Sequence, residues 1–264
     1  MKNVFAFANQ KGGVAKTTTV GTLAAGLVRQ GFSVLAIDSD PQGNLSDSVG
    51  ANNDDAYTLY EVLKENVKIE DAIQHNKAFD IVPANIVLAG FEQETAVGRE
   101  NRFREVLREE SDITQKYDYI LIDCPPSLGV LTVNAFTAAD YITIPTTPST
   151  FSARGIRQLF ETYKRVKKYT NKDVTIDGIL ITRYSGRTNI SKDVKELTER
   201  LGDYIEAPVY HSTIRNGVLV EDAQAEQMDI FSYCIEKKKR EKEQAVAKDY
   251  QAFIKEFVEK ERGN

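Results

Sequence analysis

The segment Asn9–Thr19 brings together two lysines, two glycines and three threonines, a combination suited to binding phosphate. Turns built from glycine let backbone N–H groups converge on a polyphosphate, and the N-terminus of a following helix adds its positive dipole end. In such a loop Lys16 would lie against the β- and γ-phosphates, and the Thr17 hydroxyl would coordinate Mg²⁺. An apolar run at residues 4–8 precedes the loop and a helical pattern follows it. We therefore predict a phosphate-binding loop made of Lys11, Gly12, Gly13, Val14, Ala15, Lys16, Thr17 and Thr18.

The loop departs from the ordinary phosphate-loop pattern. Ala15 and Gln10 stand one and six residues before Lys16, where glycines are usual, and a second lysine, Lys11, stands five residues before it. A cation at that end of the loop is poorly placed for its own nucleotide and better placed to reach phosphates held by a second, facing subunit. We therefore predict a nucleotide-dependent homodimer. Alanine in place of glycine at position 15 leaves two outcomes open. In a right-handed backbone conformation its methyl group would cost little free energy, whereas at a positive φ it would strain the loop or slow hydrolysis.

Acidic residues end two further apolar, strand-like runs. Asp38 and Asp40 lie at the end of the run 33–38, and Asp123 closes the run 119–123. Ligands bind at the carboxyl edge of an open parallel sheet, so these carboxylates would meet the phosphate loop. There a carboxylate can hold a Mg²⁺-bound water or orient the water that attacks a γ-phosphate. Asp38 is either a supporting acid of this kind or a cap for the following turn.

The residues Lys11-Gly-Gly-Val-Ala-Lys-Thr-Thr18 resemble the deviant Walker A motif of the ParA/MinD family of partition and positioning ATPases. The resemblance implies ATP and Mg²⁺ as cofactors and an ATP-bound sandwich dimer bridged by Lys11. By resemblance to the family's first switch segment, Asp40 is the predicted catalytic acid, together with Lys11 and Lys16. Asp123 resembles the Walker B acid, so Thr17, Asp40 and Asp123 form the predicted magnesium site.

Two arginine-bearing segments are similar to the family's DNA-contacting segments. Arg187 follows the strand-like run that begins at residue 178, and Arg215 lies within 212–224. A net charge of −5 opposes a nucleic-acid partner at first sight, yet basic residues cluster in this half of the chain. We therefore predict that Arg187 and Arg215 bind DNA without sequence preference. The run Lys237–Arg240 is either part of that surface or the exposed face of a helix.

The resemblance predicts a ParA-type partition ATPase of the cytoplasm, associated with the nucleoid. A centromere-binding partner, either a ParB-like protein or a small DNA-binding adaptor, would stimulate slow hydrolysis and so release DNA. The alternative is a MinD-like positioning ATPase that acts on a membrane or protein scaffold without DNA. A metabolic or assembly enzyme would need a substrate pocket or cysteine ligands, and the chain has only Cys124 and Cys234.

Apolar runs alternate with helical patterns, which predicts an α/β fold of P-loop NTPase type: a mostly parallel twisted sheet with helices on both faces. The predicted helices are Lys16–Gln30, Asn101–Lys116, Leu131–Asp140, Ile156–Thr170 and Asn189–Leu201. The predicted strands lie near residues 3–8, 33–38, 79–83, 119–123, 141–145, 176–182 and 205–210.

We expect a single domain over residues 1–264, with a C-terminal helix at about 237–262 packed on it. The polar face of that helix mixes acids with lysines, which disfavours a membrane-surface helix. The sequence contains no run of eighteen apolar residues and we expect no signal peptide, so we predict a soluble protein. We also expect no helix-turn-helix extension, and therefore no specific operator binding.

Overall fold

Strands that are buried along their whole length form the centre of the sheet. Val4–Phe7, Val34–Asp38 and Tyr119–Asp123 are buried at every position, as expected for parallel strands covered on both faces. The computed structural model describes residues 3–149, 152–186 and 189–263. Its strands in those ranges are β1 (Val4–Phe7), β2 (Val34–Asp38), β3 (Gln74–His75), β4 (Asp80–Val82), β5 (Tyr119–Asp123), β6 (Tyr141–Thr146), β7 (Thr175–Tyr184) and β8 (Val209–Arg215).

The strands form one sheet in the order β3-β4-β2-β5-β1-β6-β7-β8. Neighbouring strands run parallel, except that β3 pairs antiparallel with β4 at one edge. Phe7 of β1 and Asp38 of β2 both lie opposite Asp123 of β5 in the register. The carboxyl ends of these strands therefore meet at one place, as the sequence predicted, and the mostly parallel sheet is confirmed.

The helices cover both faces of this sheet. The α-helices of the described ranges are α1 (Lys16–Arg29), α2 (Asn44–Ser48), α3 (Leu59–Leu63), α4 (Ile69–Ala72), α5 (Ala89–Glu92), α6 (Arg102–Glu109), α7 (Ser111–Thr114), α8 (Val130–Ala138), α9 (Ser152–Tyr169), α10 (Asn189–Ile205), α11 (Leu219–Ala225), α12 (Ile230–Glu236) and α13 (Ala245–Gly263). Short 3₁₀ turns lie at Ile86–Leu88 and Arg99–Asn101. The apolar sides of α1, α11, α12 and α13 share one core cluster, and those of α6, α8, α9 and α10 share the other.

The last helix, α13, packs on the sheet and also covers its open edge. Its apolar stripe is buried against α1 and the sheet. The Glu256 carboxylate accepts hydrogen bonds from the N–H groups of His211 and Ser212, at 2.7 and 2.8 Å. The Asp249 carboxylate accepts one from the Arg215 N–H at 2.9 Å. Helix α13 thereby satisfies donors of the edge strand β8. Within the described ranges, no helix combines the length and the apolar character needed to cross a membrane.

Several predicted boundaries were wrong, among them the start of α9, which begins at Ser152 and not at Ile156. The helix expected at 101–116 is split into a 3₁₀ turn, α6 and α7, because Glu110 leaves the helical region with ψ at 40°. The strand expected near 205–210 begins only at Val209, since α10 runs to Ile205 and a left-handed Glu206 then ends it. The last helix begins at Ala245 instead of near residue 237. Lys238 is left-handed and Lys239 donates its N–H to the Cys234 carbonyl, a helix C-terminal motif that closes α12.

Candidate active site

Two residues of the loop before α1 adopt left-handed backbone conformations. The angle φ is 71° at Gly13 and 60° at Ala15, and α1 begins at Lys16. Turns of this kind aim successive N–H groups into a concavity that accepts an anion, next to the positive end of the helix. Gly13 adopts this conformation freely, whereas a side chain there costs roughly 1–2 kcal/mol. The open question at Ala15 is thus answered: this residue lies in the strained region.

Buried hydrogen bonds fasten the loop to the ends of β6 and β7. Asn9 donates through Nδ2 to the Pro145 carbonyl at 2.7 Å and accepts the Lys11 N–H through Oδ1 at 3.0 Å. The Thr182 hydroxyl lies 2.9 Å from the Val14 carbonyl oxygen.

The same Thr182 hydroxyl lies 3.0 Å from the carbonyl oxygen of Thr146, the last residue of β6. Inside α1, the Thr19 hydroxyl donates to the Ala15 carbonyl at 2.6 Å. The strand ends and the first turn of α1 therefore position the loop together.

A cleft of about 580 Å³ opens beside the loop. Lys16, Thr17, Thr18 and Asp40 line it, and Lys16 is only 7% exposed. A buried ammonium is costly unless an anion accompanies it. The cleft is therefore suited to an anionic ligand.

Asp38 organises the turn that follows β2. One oxygen of its carboxylate accepts the Asp40 N–H at 3.1 Å, and the other accepts the N–H and hydroxyl of Ser46 at 3.0 and 2.8 Å. Burial nevertheless raises the pKa of Asp38 to about 7. Of the two roles left open for Asp38, these contacts match the structural one.

The turn held by Asp38 places Asp40 on the cleft wall. Its carboxylate accepts the Gln42 N–H at 3.0 Å, and its carbonyl accepts the Gly43 N–H at 2.9 Å. These bonds fix the backbone on both sides of the carboxylate, which at 7% exposed has limited access to water. Asp40 is therefore held in place to accept a hydrogen bond from a molecule in the cleft.

Asp123 is fully buried, and neither of its carboxylate oxygens has a hydrogen-bond partner of good geometry within the described residues. Burial raises the pKa of Asp123 well above its ordinary value, and the Asp38 carboxylate raises it further, whereas Thr17 and Lys16 lower it. Buried carboxylates without partners are rare because they cost free energy. A cation-bound water beside Asp123 would supply the missing partners.

This donor set fits Mg²⁺ held mostly by water and phosphate. The described residues contain no group of three or more His, Cys, Asp or Glu side chains arranged to ligate a metal. Mg²⁺ usually keeps several waters and takes one or two protein oxygens in addition to substrate phosphates. The Thr17 hydroxyl and the Asp123 carboxylate beside it match that requirement.

Lys11 is held away from the cleft. Its ammonium donates to the hydroxyls of Thr147 and Ser149, at 3.2 and 2.9 Å, in the loop between β6 and α9. It is also absent from the described residues that line the cleft.

Arg215 forms a two-bond pair with Asp249 of α13. Its Nε and Nη2 atoms donate to the two carboxylate oxygens at 2.6 and 2.8 Å, and the arginine side chain is 54% exposed. Arg215 and Arg183 both line a cavity of about 70 Å³ that also touches Ala15. Arg187, the other predicted DNA-binding residue, lies outside the described residues.

Within the described part of the chain, two of the four cations in the basic run after α12 are paired with acids. Lys237 lies 3.1 Å from Glu226, and Arg240 lies 2.8 Å from Glu243. Its charges are thus partly neutralised on the surface.

Comparison with known proteins decides the family. A model of the AAA domain matches residues 2–176. The sporulation initiation inhibitor protein Soj of Bacillus subtilis is 38% identical over 238 residues, covering 88% of this chain and 92% of that protein. The chromosome partitioning protein ParA of Caulobacter vibrioides is 40% identical over 226 residues, covering 83% of each chain. The chain belongs to the ParA/Soj family of ATPases.

Solved structures agree with the fold of this ParA/Soj family member. A Mycobacterium smegmatis protein described as cobyrinic acid a,c-diamide synthase, with bound ATP analog and magnesium, is 38% identical with a TM-score of 0.75. The match covers 86% of this chain and 93% of that one. A plasmid partition protein from Borrelia burgdorferi is 27% identical with a TM-score of 0.70, and the match covers 89% and 99%. The expected P-loop ATPase fold is confirmed.

The structure brings most residues predicted for the ParA/Soj ATPase site to one cleft. Its lining includes Gly12, Gly13, Ala15, Lys16, Thr17, Thr18 and Asp40. Val14 is buried, as is Asp123, which interacts electrostatically with Lys16 and Asp40. Lys11 and Arg215 instead make the separate contacts described above.

Sequence reasoning missed Arg183 as a residue of this ParA/Soj site. It follows Thr182, has a φ of 51°, and lines both the cleft and the smaller cavity. Arg183 could have been predicted from its position near the carboxyl end of β7, because ligands bind at that edge of a parallel sheet.

Proposed function

We propose that this chain is an ATP-dependent DNA partition protein that alternates between a monomer and an ATP-bound dimer. The observation that carries the proposal is the division of the two loop lysines: Lys16 lines the cleft, whereas Lys11 is held outside it. The chromosome-partitioning ATPase Soj of Treponema pallidum, 34% identical over 98% of both chains, supports the same function. Such a protein would act in the cytoplasm, on the nucleoid.

ATP and Mg²⁺ are the proposed ligands of the cleft. The loop amides, Lys16 and Thr18 would bind the phosphates, and Thr17 and Asp123 would hold the ion and its waters. Mg²⁺, when bound, neutralises charge on the phosphates. Asp40 would accept a hydrogen bond from the attacking water and so orient it toward the γ-phosphate.

Lys11 would couple ATP to dimer formation. Its present partners are neutral hydroxyls, whereas a phosphate would add the attraction between opposite charges to the hydrogen bond. A nucleotide held by a second, facing subunit would therefore draw Lys11 away from Thr147 and Ser149. Each subunit would then complete the other's site.

Sedimentation with and without ATP tests this coupling. We expect Lys11→Ala to bind ATP but remain a monomer, and Lys16→Ala to lose ATP binding itself. The exposed Lys77→Ala serves as the matched control and should dimerise like the wild type. An ATP-dependent dimer formed by Lys11→Ala would contradict the proposed role of Lys11.

Dimer formation would also switch on DNA binding. Joining two subunits doubles the number of Arg187 and Arg215 side chains on one assembly, and each neutralised phosphate adds a salt-dependent increment of affinity. A weakly binding monomer would thus become a tight, sequence-independent DNA binder. A centromere-binding partner would stimulate hydrolysis and release the DNA.

Binding to random-sequence duplex DNA over a salt series, with ATP, ADP or no nucleotide, tests the DNA step. The expected result is tight, salt-steep binding with ATP only, which Arg187→Ala/Arg215→Ala strongly weakens. Absence of DNA binding in every nucleotide state would favour a positioning ATPase without DNA. An ATPase that responds to a small acceptor molecule but not to DNA would favour a synthase, the activity for which the Mycobacterium smegmatis neighbour is named.

A further inference from the structure

Helix α9 and the turn after it carry a dense set of cations in an acidic chain. The chain has a net charge of −5, yet residues 152–172 contain seven basic side chains and a single acid, Glu161. The basic residues are Arg154, Arg157, Lys164, Arg165, Lys167, Lys168 and Lys172. The sequence predicted this helix but gave its charge no role.

Packing turns most of these cations to one side. Ile156, Leu159, Tyr163 and Val166 are buried in the core, which fixes the orientation of α9. The opposite side is exposed and carries Gln158 and Glu161 together with five cations, which we call the basic face of α9: Arg154, Arg157, Arg165, Lys168 and, in the turn after the helix, Lys172. At 1.5 Å per residue, Arg154 and Lys168 lie about 21 Å apart along the helix, equivalent to roughly six base pairs of DNA.

Within the described residues, no ion pair with an acid neutralises the basic face of α9. Lys164, on the border of this face, pairs with Glu161 at 2.6 Å, and Lys168 lies over the ring of Tyr169 at 4.8 Å. Arg215, by contrast, is bound to Asp249 through two hydrogen bonds. The basic face is therefore the surface whose charge is more available to an external anion.

We infer that the basic face of α9 binds the phosphodiester backbone of duplex DNA, as a contact surface separate from Arg187 and Arg215. The inference rests on the proposed DNA function and locates a second part of its interface. A cluster of exposed cations in which the single acid, Glu161, is itself paired with Lys164 matches backbone binding, which is electrostatic and independent of sequence.

Two features favour DNA over other anionic partners. The apolar side of α9 is already buried in the core, so the helix has no free apolar face to insert into a lipid surface. None of the five residues of the basic face is apolar, and the exposed ring beside them, Tyr169, is small compared with the apolar cluster that anchors a protein partner. A charged row of this kind is complementary to a polyphosphate.

The test compares the full-length wild type with Arg165→Gln/Lys168→Gln/Lys172→Gln in DNA binding with ATP. Glutamine keeps the helix propensity of the replaced residues, and these positions lie toward the end of α9 that is farther from the phosphate loop. Since each lost phosphate contact reduces the magnitude of the slope of log K against log salt by about 0.9, we expect that magnitude to decrease by about 2 to 3 for each subunit that contacts the DNA. Affinity at low salt should fall at least about fivefold.

The matched control is Lys68→Gln/Lys77→Gln/Lys116→Gln, which removes the same charge from exposed lysines elsewhere. Basal ATPase activity and ATP-dependent dimerisation should be unchanged in both variants. Equal DNA affinity and slope in wild type and α9 variant would overturn the inference while leaving the proposed function intact. Wild type that binds no DNA would instead overturn the proposed function. Loss in the α9 variant of binding to phosphatidylglycerol vesicles, without loss of DNA binding, would assign the surface to lipid and overturn the inference.

Discussion

Ala15 holds the phosphate loop in a conformation that its methyl group disfavours. We expect Ala15→Gly to relieve about 1–2 kcal/mol of strain, offset by about 0.5–1 kcal/mol for the larger backbone entropy of glycine in the unfolded chain. The net result should be a small increase in the free energy of unfolding, measured by urea denaturation without nucleotide. The control is Ala25→Gly inside α1, which should destabilise the protein by about 0.5–1 kcal/mol. Destabilisation by Ala15→Gly as well would contradict a strained loop.

Arg215 is both the predicted DNA contact and the partner of Asp249. Replacing Asp249 with Asn would release the guanidinium from its two-bond pair, so DNA affinity with ATP should rise by about two- to fivefold, more steeply at low salt. Filter binding of a labelled random duplex measures the change.

Asp54→Asn provides the control, because Asp54 is an exposed acid whose loss alters net charge equally. An equal gain in both variants would show that net charge, and not the release of Arg215, raises affinity.

The residues with chemistry were the easiest to predict from sequence. The residue types of the glycines, lysines and acids, and their positions after apolar runs, indicate a phosphate-binding site. The partners that hold them were not predictable, because Thr147, Ser149 and Asp249 reach Lys11 and Arg215 only through the fold. The backbone angle of Ala15 was equally inaccessible, since alanine occurs in both helical regions.

At the scale of elements, α13 protects β8 through the carboxylate of Glu256. Glu256→Ala would leave the N–H groups of His211 and Ser212 without protein partners, so we expect a loss of about 1–2 kcal/mol in the free energy of unfolding. Thermal and urea unfolding measure it. Glu196→Ala, on the exposed side of α10, should change stability by less than about 0.5 kcal/mol. Equal effects of the two substitutions would mean that water replaces Glu256 at the strand edge.

The apolar strands and most long helices were predicted correctly, because burial on both faces makes a strand apolar throughout and burial on one side gives a helix an apolar stripe. Boundaries set by single backbone angles were not. Glu206 and Lys238 adopt left-handed conformations that no residue type at those positions signals, and they moved the start of β8 and of α13. The 3₁₀ turn and the break at Glu110 likewise follow from tertiary packing and not from helix propensity.

At the scale of the whole molecule, Glu261 should make global stability depend on pH. Burial raises the pKa of Glu261 to about 7 from 4.5, and the nearby Asp177 carboxylate adds to the effect. The folded state therefore holds this proton more tightly than the unfolded chain. The stabilising contribution is complete below pH 4.5 and is lost as the pH rises toward 7.

We expect the free energy of unfolding of Glu261→Gln to fall less than that of the wild type between about pH 5 and 8. Urea denaturation at several pH values measures the difference, with the exposed Glu259→Gln on the same helix as control. Parallel pH profiles for wild type and Glu261→Gln would exclude this group as a source of the dependence.

Thr182 cannot fully satisfy both of the carbonyl groups that lie next to its hydroxyl. Its side chain has one hydroxyl proton, but the carbonyl oxygens of Val14 and Thr146 both lie within hydrogen-bond distance. The phosphate loop and the end of β6 thus share a single hydrogen-bond donor. The end of β6 leads directly to Thr147 and Ser149, which bind Lys11. Any movement that gives one carbonyl a fuller share of that proton leaves the other in greater need of a new partner.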